Sequence, residues 1–139
     1  MKIVSACLAG IPCRWDGKAK PCQQILQLVE NQEAIPLCPE ELGGLTTPRE
    51  QAEIQQDGSV KTINGNDVTE KYLAGAQKVL ELAKLMGCRE VIFKSKSPSC
   101  GCGKIFDGTF SETLIAGDGI CTKLLKDNHI KVITEENLQ

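Results

Sequence analysis

Short apolar, often β-branched runs alternate with helical apolar stripes from one end of this chain to the other, and few architectures accept that alternation. Ile3 and Val4 lie in a run, Lys2 to Ser5, that stops at the small-residue turn Ala9-Gly10-Ile11-Pro12. From Pro21 onward, Ile25, Leu26, Leu28 and Val29 recur at helical spacing until the pattern fades at Asn31; a proline is tolerated in a first helical turn. Ala34 to Leu37 reads as a second strand, closed by Cys38-Pro39. Thr69 to Met86 carries the strongest stripe: Tyr72, Ala76, Val79, Leu80 and Ala83 share one face, and Glu70, Lys71, Lys78 and Glu81 point away. Asp67 is expected to cap this helix and Gly87 to end it. Val91-Ile92-Phe93 predicts a third buried strand running through Lys94 into a turn-rich loop, Ser95 to Gly103. A helix over 118–125 and a strand from Lys131 to Thr134 complete the series.

Alternating β and α elements predict the α/β class: a small Rossmann-like three-layer sandwich with a mainly parallel sheet and right-handed crossovers. Loops that follow the strands then meet at one edge, and ligands bind where the strand order reverses. Leu42 to Asp67 interrupts the alternation. It holds Gly43, Gly44, Pro48 and the pairs Asp57-Gly58 and Asn64-Gly65, so Val60 to Ile63 is expected to pair with Ala52 to Gln56 as a hairpin insertion. Such an excursion either lies over a site or decorates the surface. At 139 residues and 41% apolar content, the chain is expected to fold as one domain over 1–139 without cross-links. The formal charge of -2 argues against a broad basic footprint for a nucleic-acid polymer and leaves room for a local basic pocket, so small-molecule partners are favoured. Neither a signal-peptide pattern nor an apolar stretch long enough to cross a bilayer is present, which makes the cytoplasm the default location.

Eight cysteines are many for such a chain. A disulfide framework belongs to oxidising compartments and to domains that cannot build a core, so reduced cysteines that bind metal or do chemistry are favoured. Cys7 follows the first strand, Cys38 the second, and Cys100 lies in the loop after the third, which brings all three to the same edge. Thiolates are soft ligands that suit zinc, copper(I) or iron–sulfur centres, and no CxxC pair of the structural-zinc kind occurs. Three protein thiolates leave a fourth position open for substrate. Cys88 and Cys121 are expected to be small buried hydrophobes, and Cys22 to have no role. Cys13 and Cys102 are each a fourth ligand, a resolving thiol or a bystander.

Other residues at this edge supply the rest of a site. Glu40 is a candidate general acid or base, or else a solvated or capping carboxylate. Ser97 and Ser99 flank Pro98 and are placed to donate hydrogen bonds to a ligand, or to satisfy their own turn. Arg14, Arg49, Lys94 and Lys96 are candidates for holding an anionic group. His129, the only histidine, precedes the last strand and is expected to be structural or exposed, so a histidine-based triad has no support.

Several ordered motifs carry a resemblance. Ser5-Ala6-Cys7-Leu8-Ala9-Gly10 precedes Cys13-Arg14-Trp15-Asp16-Gly17; Cys38-Pro39-Glu40 is followed by Gly43-Gly44 and Pro48-Arg49. Gly65-Asn66-Asp67-Val68-Thr69, the run from Lys94 to Gly101 and Asp107-Gly108-Thr109-Phe110 continue it almost to the end. Together these resemble the thiouracil desulfidase family. The resemblance implies a [4Fe-4S] cluster held by Cys7, Cys38 and Cys100, with one iron left for the sulfur of a thiolated pyrimidine. It implies non-redox hydrolysis of the C–S bond with release of sulfide, Glu40 as acid or base, and Ser97 or Ser99 orienting the ring or relaying a proton. Free 2- or 4-thiouracil and 4-thiouridine monophosphate are the candidate substrates. Ala9 stands where the family usually has leucine and Trp15 where tyrosine is common, and a changed ring near the pocket would alter substrate preference. Two competing readings are a zinc or iron–sulfur module without turnover, and a thiol redox protein using Cys7 with Cys13 or Cys100 with Cys102.

Overall fold

The computed structural model describes residues 1–138. Strand β1 (Lys2–Ser5) runs into a 3-10 turn, Ala6–Ala9, and is followed by helix α1 (Gln23–Glu30), β2 (Ala34–Leu37) and the one-turn α2 (Pro39–Leu42). A hairpin of β3 (Ala52–Ile54) and β4 (Val60–Thr62) leads into the long α3 (Thr69–Met86) and β5 (Glu90–Phe93). A second hairpin, β6 (Lys104–Phe106) and β7 (Leu114–Ala116), precedes α4 (Ile120–Asp127), β8 (Lys131–Thr134) and a closing 3-10 turn, Glu135–Asn137.

The central sheet has the order β2-β1-β5-β8 and every pairing in it is parallel. Strand periodicity sorts its side chains onto two faces. Ile3, Val91, Phe93 and Val132 pack with Ala76, Val79, Leu80 and Ala83 of α3 and with Cys121 and Leu125 of α4. On the other face Val4, Ile92 and Ala34 pack with Ile25 of α1. Each large side chain buried in this way contributes about 1.5–3 kcal/mol, so the two apolar faces explain both the layering and the placing of the helices. Pro36 is accepted within β2 because that strand is at an edge. The chain passes from β1 outward to β2, then back across β1 to β5, so the strand order reverses between β1 and β5. The loops after those two strands diverge there and open a crevice.

The Rossmann-like α/β sandwich expected from the sequence is therefore what forms, with differences at element ends. Helix α1 starts at Gln23 with Cys22 as its N-cap. Helix α4 covers Ile120–Asp127 rather than 118–125, because the Asp118 carboxylate accepts from the Gly103 N–H at 2.8 Å and Gly119 becomes the N-cap. Val68 occupies the N-cap position of α3, and Asp67 acts from one residue earlier, accepting from the Thr69 N–H at 2.9 Å. The insertion hairpin is shorter than expected, Ala52–Ile54 with Val60–Thr62. The hairpin β6–β7 was not foreseen. Its strands are short, and the tie that secures its turn comes from far away in sequence: Glu53 on β3 accepts from the Gly108 and Phe110 N–H groups at 2.9 and 3.1 Å.

One close approach positions the future site. Gly43, just after α2, and Gly75 in α3 lie so near the facing backbone that a Cβ on Gly43 would strike the Lys71 carbonyl, and one on Gly75 the Pro39 carbonyl. Absence of both side chains lets α2 lie against α3, which carries Glu40 to the neighbourhood of Tyr72.

Candidate metal centre

Cys7, Cys38 and Cys100 all line one cavity of about 270 Å³ at the carboxyl ends of the strands. Each arrives there for a local reason. Cys7 sits in the 3-10 turn that directly continues β1, with its carbonyl accepting from the Lys20 N–H at 2.9 Å. Cys38 is the N-cap of α2, directly after β2. Cys100 lies on a loop docked on the start of α4, whose otherwise orphaned N–H groups bond to loop carbonyls: Ile120 to Pro98 at 2.8 Å and Cys121 to Ser99 at 3.0 Å. The Thr122 hydroxyl adds a bond to the Cys100 carbonyl at 2.9 Å.

All eight cysteines are free thiols. The Cys38 thiol is pushed up by its contact with the Cys13 thiol and then by burial, and Cys100 by burial followed by the nearby Cys121 and Glu40. Cys13 lies between Cys7 and Cys38; its contact with Cys38 pulls its pKa down, but Cys7 and burial outweigh that and leave it pushed up to about 12. A bound cation reverses this preference by stabilising the thiolates, so metal binding there would release protons.

Glu40 occupies the wall beside these sulfurs. Its Oε2 accepts from Arg49 Nε at 3.1 Å and from the Tyr72 hydroxyl at 2.9 Å, and pairs with Arg49 Nη2 at 3.1 Å. Burial holds the Tyr72 phenol well above its usual range, with the charge of Glu40 adding to it, so Tyr72 stays a donor. For Arg49 burial acts downward, yet Glu40, Cys38 and Tyr72 more than offset it and its pKa is raised. The second oxygen of Glu40, Oε1, faces the Ser97 hydroxyl at 3.5 Å. Ser97 Oγ already accepts from the Ser99 and Cys100 N–H groups at 3.1 and 3.0 Å, which leaves its hydrogen for Glu40.

The chain can now be set beside known proteins. A family model described as 2-thiouracil desulfurase matches residues 3–137. The chain belongs to that family. It is 45% identical to the uncharacterised protein YbbK of Bacillus subtilis (strain 168), over 99% of this chain and 97% of that protein. It is also similar to the solved structure of a [4Fe-4S]-dependent thiouracil desulfidase, TudS, with a TM-score of 0.93 and 42% identity over 98% of this chain and 91% of that one.

In this desulfurase-family chain the residues expected at the site are not all placed alike. Glu40, Ser97, Arg14, Arg49, Lys94 and Lys96 line the cavity with the three cysteines. Ser99 does not; it is fully buried and its Oγ has no hydrogen-bond partner. Lys94 pairs with Glu135 at 3.1 Å, Lys96 with Glu136 and Arg14 with Asp16, both at 3.8 Å, so each of these three cations already has a carboxylate. Cys13 is in the wall, whereas Cys102 is outside it, its thiol donating to the Val132 carbonyl at 3.5 Å. Cys88 and Cys121 are buried, and His129 is exposed ahead of β8. Sequence reasoning did not pick out Tyr72, Lys20 or Phe106 for the wall. Tyr72 reads as part of the α3 stripe, and only its hydroxyl on an otherwise apolar face hints that one end needs a partner. Among the described residues no helix is long and apolar enough to cross a membrane.

Proposed function

We propose that this chain is a [4Fe-4S]-dependent desulfidase that hydrolyses the C–S bond of a thiolated pyrimidine, with the cluster held by Cys7, Cys38 and Cys100. One observation carries the reading: three buried or half-buried thiols from the loops after three neighbouring strands line a single cavity, beside a carboxylate whose hydrogen bonds are directional. The donors suit such a cluster. They are soft, unpaired by disulfides, and brought from separate loops to one cavity, where each can reach a different iron. Three of them leave one iron without a protein ligand. The cavity volume of about 270 Å³ is close to the range of small-ligand sites and suits a single pyrimidine ring.

When bound, the cluster supplies a soft Lewis acid that prefers the substrate's sulfur to its oxygen. The polypeptide contributes the proton chemistry. Arg49 and Tyr72 fix Glu40 through Oε2, so Oε1 is the oxygen from which a proton is taken up or returned, with the Ser97 hydroxyl beside it. In the net reaction the oxygen of water replaces sulfur on the ring carbon and hydrosulfide leaves. Carbon keeps its oxidation state, and no reductant is needed. Arg14, Lys94 and Lys96 line the rim as ion pairs, where a phosphate would be held only by displacing a carboxylate; the substrate is the thiouracil base or 4-thiouridine monophosphate. We assign the activity to one domain spanning the chain and to the reducing cytoplasm, in keeping with eight free cysteines.

The test is anaerobic reconstitution. The wild-type chain is expected to bind about four irons with equivalent sulfide and to release sulfide from a thiouracil or its nucleotide. Cys7→Ala, Cys38→Ala and Cys100→Ala should each lose cluster absorbance and turnover together. Full iron content in the Cys38 variant, or a wild type that takes up no cluster when reconstituted anaerobically free of zinc, would overturn the assignment.

A further inference from the structure

Cys13 is the one cavity thiol that the proposed cluster leaves unused, and it is not isolated. Its Sγ, the Sγ of Cys38 and a carboxylate oxygen of Glu41 all lie within 4.8 Å of one another. Cys38 caps α2 and Glu41 stands three residues on, so one turn of chain presents both; Cys13 arrives from the loop that follows β1. Neither Cys7 nor Cys100 belongs to this tighter group. The carboxylate is also oriented from outside. The Thr47 hydroxyl donates to Glu41 Oε2 at 2.6 Å, and Arg49 Nη1 holds Thr47 by donating to its Oγ1 at 2.9 Å. Arg49 Nη2 meanwhile donates to the Cys13 carbonyl at 3.0 Å, so a single guanidinium ties together both sides of the group. Ligating carboxylates are held by outer hydrogen bonds of this kind.

Two thiolates and one carboxylate oxygen at such spacing suit one tetrahedral, borderline-soft cation and leave a coordination position for water. Calcium and magnesium, which require several oxygens, are excluded by the sulfurs. We propose that Cys13, Cys38 and Glu41 form a site for a single divalent cation of the zinc type, and that its occupation excludes the iron–sulfur cluster because Cys38 is common to both. The exclusion rests on the reading of Cys38 as a cluster ligand; the single-ion site does not. Binding transfers the two thiol protons to solvent and involves no change of oxidation state. In physiological terms, the same cavity would exist in two exclusive metal states, and the supply of zinc-type ions would decide how much of the chain receives a cluster.

The test uses the full chain, stripped of iron under anaerobic conditions and titrated with cobalt(II) as the spectroscopic probe. About one cobalt per chain is expected, with thiolate-to-cobalt charge transfer and the intense visible bands of tetrahedral coordination. Cys13→Ser should weaken cobalt binding and lower the charge-transfer intensity per bound cobalt, since only the Cys38 thiolate remains, and Glu41→Gln should weaken binding by 10-fold or more. Cys100→Ser should bind cobalt as the wild type does. Cobalt-loaded wild type should refuse iron and sulfide until a chelator is added, whereas Cys13→Ser should take up the cluster with cobalt present. Loss of cobalt binding in Cys100→Ser to the same degree as in Cys13→Ser, or binding without a thiolate band, would overturn the site. Should cobalt bind as expected while Cys38→Ala still builds a complete cluster, the single-ion site stands and the ligand assignment under the proposed function falls.

Discussion

Glu40 and the two serines differ in what their atoms touch, and that difference separates their expected effects. Glu40 is paired with Arg49, whose side chain is only 7% exposed, so Glu40→Gln removes a charge from a largely buried pair. Breaking such a pair costs about 3 kcal/mol, and losing a positioned acid–base group costs roughly 100-fold or more in turnover. Thermal melts together with kcat at saturating substrate separate the two: the variant should melt lower, and the surviving folded fraction should still be slow. Ser97→Ala deletes the acceptor of two backbone N–H groups beside Cys100, which costs about 2 kcal/mol and loosens the loop. Ser99→Ala deletes a hydroxyl that has no partner and is expected to be close to neutral or slightly stabilising. Chemical denaturation of the two variants should place them on opposite sides of this comparison; equal losses would show that the loop does not depend on Ser97.

At the scale of elements, the site depends on two contacts between pieces distant in sequence. A methyl group at Gly75 meets the Pro39 carbonyl, and neither backbone can yield without moving α2. Gly75→Ala is therefore expected to destabilise by about 2 kcal/mol and to shift Glu40 away from Tyr72. Its signature is a lower melting temperature with turnover reduced further than the unfolded fraction accounts for. The second contact is Glu53, only 2% exposed, which joins the two hairpins through the Gly108 and Phe110 N–H groups. Its other oxygen is buried without a partner, so the cost of that desolvation is accepted to secure the turn. Glu53→Ala should raise hydrogen exchange at the 108 and 110 amides well above that in β5, and with it release Phe106 from the cavity wall.

For the whole molecule, pH acts on the tie between the closing 3-10 turn and the cavity edge at Lys94 and Ser95. Burial pushes the Glu135 carboxyl upward, but the Ser95 N–H at 2.7 Å, Lys94 and the Ser95 hydroxyl outweigh it, so its folded pKa lies below the ordinary value of 4.5. A depressed folded pKa contributes stability that is complete above the unfolded value and is lost as pH falls through the folded one. Melting temperature measured from about pH 7 down to about pH 3 should therefore decline, and Glu135→Gln should melt lower at the neutral end with a shallower decline. Cluster binding adds stability by mass action, so chelation should lower the melting temperature of the loaded chain and leave Cys7→Ala unchanged.

Sequence alone determined the layer order of the molecule and the convergence of Cys7, Cys38 and Cys100, because strand and helix periodicity are local and loops after parallel strands have to meet at one edge. The strand boundaries Lys2–Ser5, Ala34–Leu37 and Lys131–Thr134 were legible for the same reason. Tertiary structure decided the rest. It chose Ser97 over Ser99 for the cavity wall, gave Glu40 its partners Arg49 and Tyr72, set Cys13 beside Cys38, and paired two short strands into β6–β7 through a carboxylate on β3. Each of these depends on side-chain direction or on a bond between residues far apart in the chain, and a one-dimensional pattern of apolar and polar residues carries neither.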